Sequence, residues 1–363
     1  MVKVTVYGYS TEGYALASRL AENGAEVHLV DESTASAVRL RPEIAKTYPN
    51  VATLIDDEPL LDAKPVRTAV AEARYLFFTP RIRKAGAEAR TEISLKFKDA
   101  TAHLSEDSTV VYGAPVGMGG NAEYMELLKH VAGIDATETT SYHYYPLEGD
   151  RQPDAIGSVG GREDTELARL LGGGKEFVDM EASERMHAVR VLSKFSRVIS
   201  AIEIYRNSGR SPMPPGDEVF LDSMIDGLFD LQLIKDSYQG ARAAQYLING
   251  SIRGIEGYVR RLADSVRTVI RENGLKVSRT EIALAWSLDR HGMRSDKMNI
   301  FQNLTDRLQS HTGTVLEYAS RQGFYSDKTM LVVACSRADY NSIKQDPDGP
   351  DIVVIKAVPA IPE

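Results

Sequence analysis

The chain has a single cysteine among its 363 residues, Cys335, so an intramolecular disulfide is excluded and a reducing compartment fits. No apolar run approaches the roughly 20 residues that span a bilayer, so no membrane partner is expected. Positive charge is in deficit. The 43 Lys and Arg against 51 Asp and Glu leave a formal charge of -8, which disfavours a nucleic-acid partner. No histidine pairs with an acid or a second histidine at ligand spacing, so no metal is expected. A Walker loop and a serine-nucleophile elbow are also missing, as are internal repeats and low-complexity tracts. Residues Met1 to Val6 read as a strand and not as a signal peptide. A soluble cytoplasmic protein is the expectation.

What is present is an alternation of short β-rich runs with helical segments. Val2 to Tyr7, Glu26 to Val30, Tyr75 to Thr79 and Val110 to Gly113 read as strands. Such alternation predicts an α/β fold, a Rossmann-type parallel sheet covered by helices. One short helix is expected between the glycines at 160–161 and those at 172–174. From Met180 the texture becomes helical. Met180 to Arg206 carries Met186, Val189, Leu192, Val198, Ile202 and Tyr205 at helical spacing. A loop with Pro212, Pro214 and Pro215 ends it. Further helices are expected over Asp217 to Tyr238, Ala241 to Asn273, Ser278 to His291 and Ser295 to Gln322, with Ser278 and Glu281 as a capping box. Met330 to Ala334 and Ile352 to Ala357 read as strands around a turn at Asp346 to Asp351; they pair together or extend a sheet edge. The expected division is a dinucleotide-binding Rossmann domain over 1–178, an all-helical domain over 179–325 that mediates dimerisation, and a short C-terminal β segment over 326–363.

Val4 to Ala17 reads as strand, glycine turn and helix start. Against the pattern G-x-G-x-x-G, Gly8 and Gly13 hold the first and third glycine positions and Ser10 replaces the second. Gly8 permits the tight turn and Gly13 close helix packing. Ser10 either costs backbone closeness to a pyrophosphate or donates its hydroxyl to it, while Thr11 and the helix N-terminus supply N–H groups. Asp31 ends the second strand, 23 positions after Gly8, where an acid binds the adenosine ribose hydroxyls and repels a 2′-phosphate. The expected cofactor is therefore NAD; Arg39 and Arg41 lie close enough in sequence to complicate that choice.

With these residues in place the chain resembles the UDP-glucose/GDP-mannose dehydrogenase family, within the 6-phosphogluconate-dehydrogenase-like group. Phe77-Phe78-Thr79-Pro80 resembles that family's strand ending in Thr-Pro beside the cofactor. Val110 to Gly117 resembles its strand ending in Ser-Thr-Val-Pro-Pro-Gly. Tyr145-Pro146-Leu147-Glu148-Gly149, then Pro153 to Gly157, resemble its Pro-Glu-Phe-Leu and Pro-Asp-Arg-Ile segments, and a long helix follows. The likeness covers about the first 210 residues. It implies an NAD site that includes Thr79 and Pro80. The departures bear on the reaction. The family oxidises an alcohol twice through a cysteine thiohemiacetal, and here the only thiol is Cys335. The catalytic glutamate has no clear match, Lys194 is followed by Val198 where the family has Lys-x-x-x-Asn, and the nucleotide-sugar domain looks reduced to Met330 to Ala357.

Simpler members of the wider group move one hydride and use a lysine on the long helix for proton transfer. His187, Arg190, Lys194 and Arg197 fall on one helical face. His187 and Lys194 are the candidates for acid–base work on an anionic substrate such as a nucleotide sugar; the competing reading is a solvated or dimer-interface face. Tyr142-His143-Tyr144-Tyr145 lines a substrate pocket or a packed edge. Gly117 to Asn121 cradles a second phosphate or is an ordinary strand-to-helix turn. Arg81, Arg83 and Lys84 follow a strand end where ligands bind open α/β sheets. The expected function is NAD-dependent single hydride transfer by a homodimer. The alternatives are a catalytically degenerate, dinucleotide-binding regulatory or scaffolding protein, and a protein that binds another adenine nucleotide.

Overall fold

In this computed structural model the described residues are 1–32, 36–57, 63–137, 139, 141–149, 152–206, 218–318, 329–345 and 352–360. The expected proline loop at 212–215 and the turn at 346–351 lie outside them. The chain divides into two compact units. The first comprises Met1–Arg190, Gln232–Gln239 and Asp289–Ser295; the second comprises Val191–Leu231, Gly240–Leu288 and Asp296–Glu363.

The first unit is built on β1 (Lys3–Tyr7), β2 (Glu26–Val30), β3 (Ser36–Leu40), β4 (Ala63–Pro65), β5 (Tyr75–Phe78), β6 (Thr109–Tyr112), β7 (Tyr142–Tyr144), β8 (Ala155–Ser158) and β9 (Glu176–Asp179). They form one sheet in the order β4-β3-β2-β1-β5-β6-β7-β8-β9. The strands from β2 to β7 in that order are parallel, as the alternation predicts, whereas β3, β4 and β8 join antiparallel. The sequences Tyr-Leu-Phe-Phe of β5 and Thr-Val-Val-Tyr of β6 are buried at every position. Such unbroken apolar runs suit central parallel strands covered on both faces. From β1 the chain passes through the Thr11–Glu22 helix to β2 on one side, and β5 flanks β1 on the other. This reversal is a topological switch point, and it opens a crevice at the carboxyl ends of β1 and β5.

The far end of the sheet is fastened by Asp164. Its carboxylate caps the Thr165–Leu170 helix through Leu167 N–H at 2.9 Å and accepts the Tyr75 hydroxyl at 2.9 and 3.0 Å. It also lies 3.8 Å from His143 Nε2. Burial alone would raise its pKa, but the contacts with His143, Leu167 N–H and Tyr75 win and hold it at about 2, below the ordinary 3.8. A depressed carboxylate stabilises the fold above its unfolded pKa. That contribution, about 1–2 kcal/mol after solvent screening, is expected to fade as pH falls from about 4 to about 2. Urea unfolding of wild type and Asp164→Asn across that window checks it: their stabilities should converge at the acid end, and a constant gap would contradict the assignment.

The helix Met180–Arg206 has the predicted bounds and runs from the first unit into the second. The expected helix 217–238 is broken into Leu221–Ile225 and Leu228–Ser237 around Gly227, whose φ of 84° is left-handed. The larger departure is at 278–291. No α-helix forms there, so Ser278 and Glu281 make no capping box; a single 3-10 turn at Val277–Arg279 leads into β10 (Thr280–Ala285). With β11 (Val315–Glu317), β12 (Thr329–Ala334) and β13 (Ile352–Lys356) it makes a second, wholly parallel sheet, ordered β11-β10-β12-β13. Residues Ile282 to Ala285 are buried without a polar face, and sheet pairing overrides the helix-permissive alanines. The tail strands thus pair with each other and with β10. The C-terminal region, expected to be a remnant, is a four-stranded parallel layer. Cys335 follows β12, fully buried, and burial pushes its thiol well above its ordinary pKa, which suits a structural role.

Candidate functional site

The glycine turn folds as its residue types require. Gly8 has φ of 115°, and a Cβ there would meet Thr79 O at 2.1 Å and Pro80 Cα at 2.8 Å. A Cβ on Gly13 would lie 2.4 Å from Thr79 Oγ1. Thr79 and Pro80 therefore press against the turn from β5, and only glycines admit them. Ser10 caps the Thr11–Glu22 helix: its hydroxyl accepts Gly13 N–H at 3.0 Å and donates to Thr79 O at 2.9 Å. The serine is fully buried, so its hydroxyl ties the turn to β5 instead of reaching out to a phosphate.

Asp31 stands at the end of β2, as the spacing predicts. Its carboxylate accepts Tyr9 N–H at 2.8 Å and pairs with Arg81 at 3.3 Å. Arg81, singled out in sequence only as part of a basic run, is thus the ion-pair partner of Asp31.

Residues 290–294 meet the same crevice. Thr11 N–H donates to His291 O at 3.0 Å, and Ile82 N–H donates to Met293 O at 2.7 Å. Met293 N–H donates to the Glu12 carboxylate at 2.8 Å. Arg83 donates to Gly292 O at 3.2 Å and Arg290 O at 2.9 Å, and Arg294 donates to Leu147 O at 2.7 Å. Nothing in the sequence pattern marks this stretch.

The second glycine-rich turn does not wait for a phosphate. Glu184 occupies it, accepting Gly119 N–H at 2.7 Å, Asn121 N–H at 3.1 Å and the Asn121 amide at 2.8 Å. A buried carboxylate thus holds the N-terminus of the Gly120–Ala132 helix. The Tyr142-His143-Tyr144 run is core and not pocket: all three side chains are fully buried, with the Tyr142 hydroxyl on Asn121 Oδ1 at 2.8 Å.

Past the switch point, Tyr145 N–H and Leu147 N–H bond to Tyr112 O and Gly113 O, carrying the chain along the carboxyl end of β6. This delivers Glu148. Its Oε1 lies 2.9 Å from His187 Nδ1 and 3.2 Å from Arg190 Nη1. His187 is 3% exposed, whereas Glu148 keeps 23% of its side chain open. An imidazole, a carboxylate and a guanidinium converge on the side of the crevice away from Asp31. Lys194 is not among them. It belongs to the second unit, where its ammonium bonds Asp226 O at 2.5 Å and Oδ2 at 2.7 Å. Sequence reasoning chose His187 but missed Glu148; its one signal was a lone acid just after a strand end.

Among the described residues no group of His, Cys, Asp and Glu is arranged to hold a metal ion, and no helix is long and apolar enough to cross a membrane.

No family model and no curated protein sequence matches the chain. Solved structures do. A UDP-D-ManNAc dehydrogenase from Pyrococcus horikoshii is 13% identical, with 97% of this chain and 95% of that chain covered at a TM-score of 0.66. The UDP-N-acetyl-mannosamine dehydrogenase from S. aureus is 10% identical, with 99% and 95% covered at 0.57. At these identities the likeness establishes the fold.

Proposed function

We propose that the chain is an NAD-dependent oxidoreductase, similar to nucleotide-sugar or hydroxyacid dehydrogenases, that carries out a single hydride transfer on an anionic substrate. The convergence of His187, Glu148 and Arg190 at the carboxyl end of β6 carries this reading. The fold shared with two UDP-sugar dehydrogenases supports it.

The turn has the shape for a dinucleotide, because Gly8 and Gly13 leave its backbone bare and Asp31 stands at the ribose end. Gly8, Ser10, Thr11, Gly13, Asp31, Thr79 and Pro80 form the cofactor side. When bound, NAD supplies the hydride acceptor. The chain's own work is with the proton. Glu148 Oε1 lies 2.9 Å from Nδ1, so the carboxylate fixes the ring beside the crevice. His187 takes the substrate hydroxyl proton as the carbon gives up hydride, and returns it in the reverse direction. Glu148 orients the ring and stabilises the imidazolium. Arg190 adds positive charge for an anionic substrate. Lys194 is held by Asp226, so the proton is assigned to His187 alone. Exposed Met186 and Val189 on the same helix favour a homodimer, and the lone buried Cys335 favours the cytoplasm.

Differential scanning fluorimetry with NAD, NADP and nucleotide sugars tests the cofactor. NAD near 1 mM should raise Tm, a micromolar ligand giving about 4 kcal/mol. Asp31→Ala should weaken NAD more than NADP, and equal loss would remove the ribose assignment.

A further inference from the structure

Thr11 N–H is one of the donors that a helix-start glycine turn aims at a pyrophosphate, and here a peptide carbonyl, His291 O, holds it. The next residue, Glu12, brings a carboxylate to the same helix start, where phosphate charge would lie, and that carboxylate is engaged by Met293 N–H. Gly13 N–H is on Ser10 Oγ and Tyr9 N–H on Asp31. Residues 290–294 are fixed from three loops at once. The β1 turn holds them through Thr11 and Glu12, the β5 loop through Ile82 and Arg83, and the β7 loop through Leu147. Met293 is fully buried in this arrangement. Six hydrogen bonds tie this segment across the switch-point crevice.

We propose that residues 290–294 are an internal strap that competes with the dinucleotide for the glycine turn, so that the cofactor binds only when the strap lifts. The inference rests on the oxidoreductase reading and adds a regulatory device to its cofactor site. A closed strap lowers apparent affinity by the fraction of molecules in which it is open. Anything that loosens it, such as a substrate or a partner drawing Arg83 or Arg294 away, raises cofactor affinity.

Arg83→Met separates this from ordinary electrostatics. Arg83 fastens the strap through two carbonyls, so its loss should open the crevice and tighten NAD. Without a strap, removing a cation near a pyrophosphate weakens NAD or leaves it unchanged. NAD binding to the wild-type chain and to Arg83→Met is measured by isothermal titration, with hydrogen exchange at the Ile82 and Met293 amides. The expected result is an NAD Kd at least about tenfold lower in Arg83→Met, with both amides losing protection when NAD is added to the wild type. Equal or weaker binding by the variant, or unchanged protection on adding NAD, overturns the strap and leaves the oxidoreductase reading standing. If neither protein binds NAD, the oxidoreductase reading falls and the strap's competing role falls with it.

Discussion

Replacing His187 with glutamine is expected to lower turnover by about 10²- to 10⁴-fold, the usual worth of a positioned general base. Glutamine is near histidine in size, and its amide can still donate to Glu148, so the change removes the proton acceptor with little loss of packing. His187 is 3% exposed, so folding must be checked beside activity. Thermal unfolding should shift by only a few degrees, and NAD affinity should stay within about threefold, because the imidazole packs against Glu148 and not against the glycine turn. Glu148→Gln should fall between wild type and His187→Gln, since it removes the charge beside the ring without removing the ring. A loss of less than about tenfold in His187→Gln would show that the proton moves elsewhere.

The second large effect is on stability. In Gly8→Ala the added carbon must lie 2.1 Å from Thr79 O and 2.6 Å from Thr79 C. Both are backbone atoms at the end of a fully buried strand, so no side chain can turn aside. The residue would also keep φ of 115°, which a Cβ disfavours. The two effects together should cost about 4 kcal/mol or more, enough to unfold a marginal domain. Gly133→Ala is the control. It too has positive φ, 73°, in the left-handed helical region, but meets nothing within 4 Å, so about 1 kcal/mol is expected. Chemical denaturation of the two variants should separate them by several kcal/mol. Similar losses would mean that strand contact at Gly8 is not what restricts the position.

These contrasts follow the grain of what the sequence discloses. The turn from Gly8 to Gly13, Asp31, and strands β1, β2, β5 and β6 were readable because each is a local pattern of residue types. The helix Met180–Arg206 was readable for the same reason. Strand β10 was not, since Ile282 to Ala285 suits either state and only its neighbours β11 and β12 decide. Glu184 is a similar case. A glutamate on a helical face gives no sign that it will cap a distant helix start, so Gly117 to Asn121 looked open to a phosphate. The pairing of Glu148 with His187, and of Thr11 with His291, joins residues far apart in sequence. Periodicity carries no information about such contacts; they follow from the folded crevice.

The central claim is hydride transfer with His187 as the proton carrier, and following the hydride itself tests it. The measurement incubates the protein with NADH deuterated at the transferring carbon and a panel of anionic carbonyl compounds, nucleotide-sugar aldehydes among them, and assays the alcohols by mass spectrometry. One deuterium on carbon per NADH consumed is expected in the wild type, and the same product formed about 10²- to 10⁴-fold more slowly in His187→Gln. NADH that binds yet transfers no deuterium to any compound in the panel, with wild type and variant alike, would contradict it.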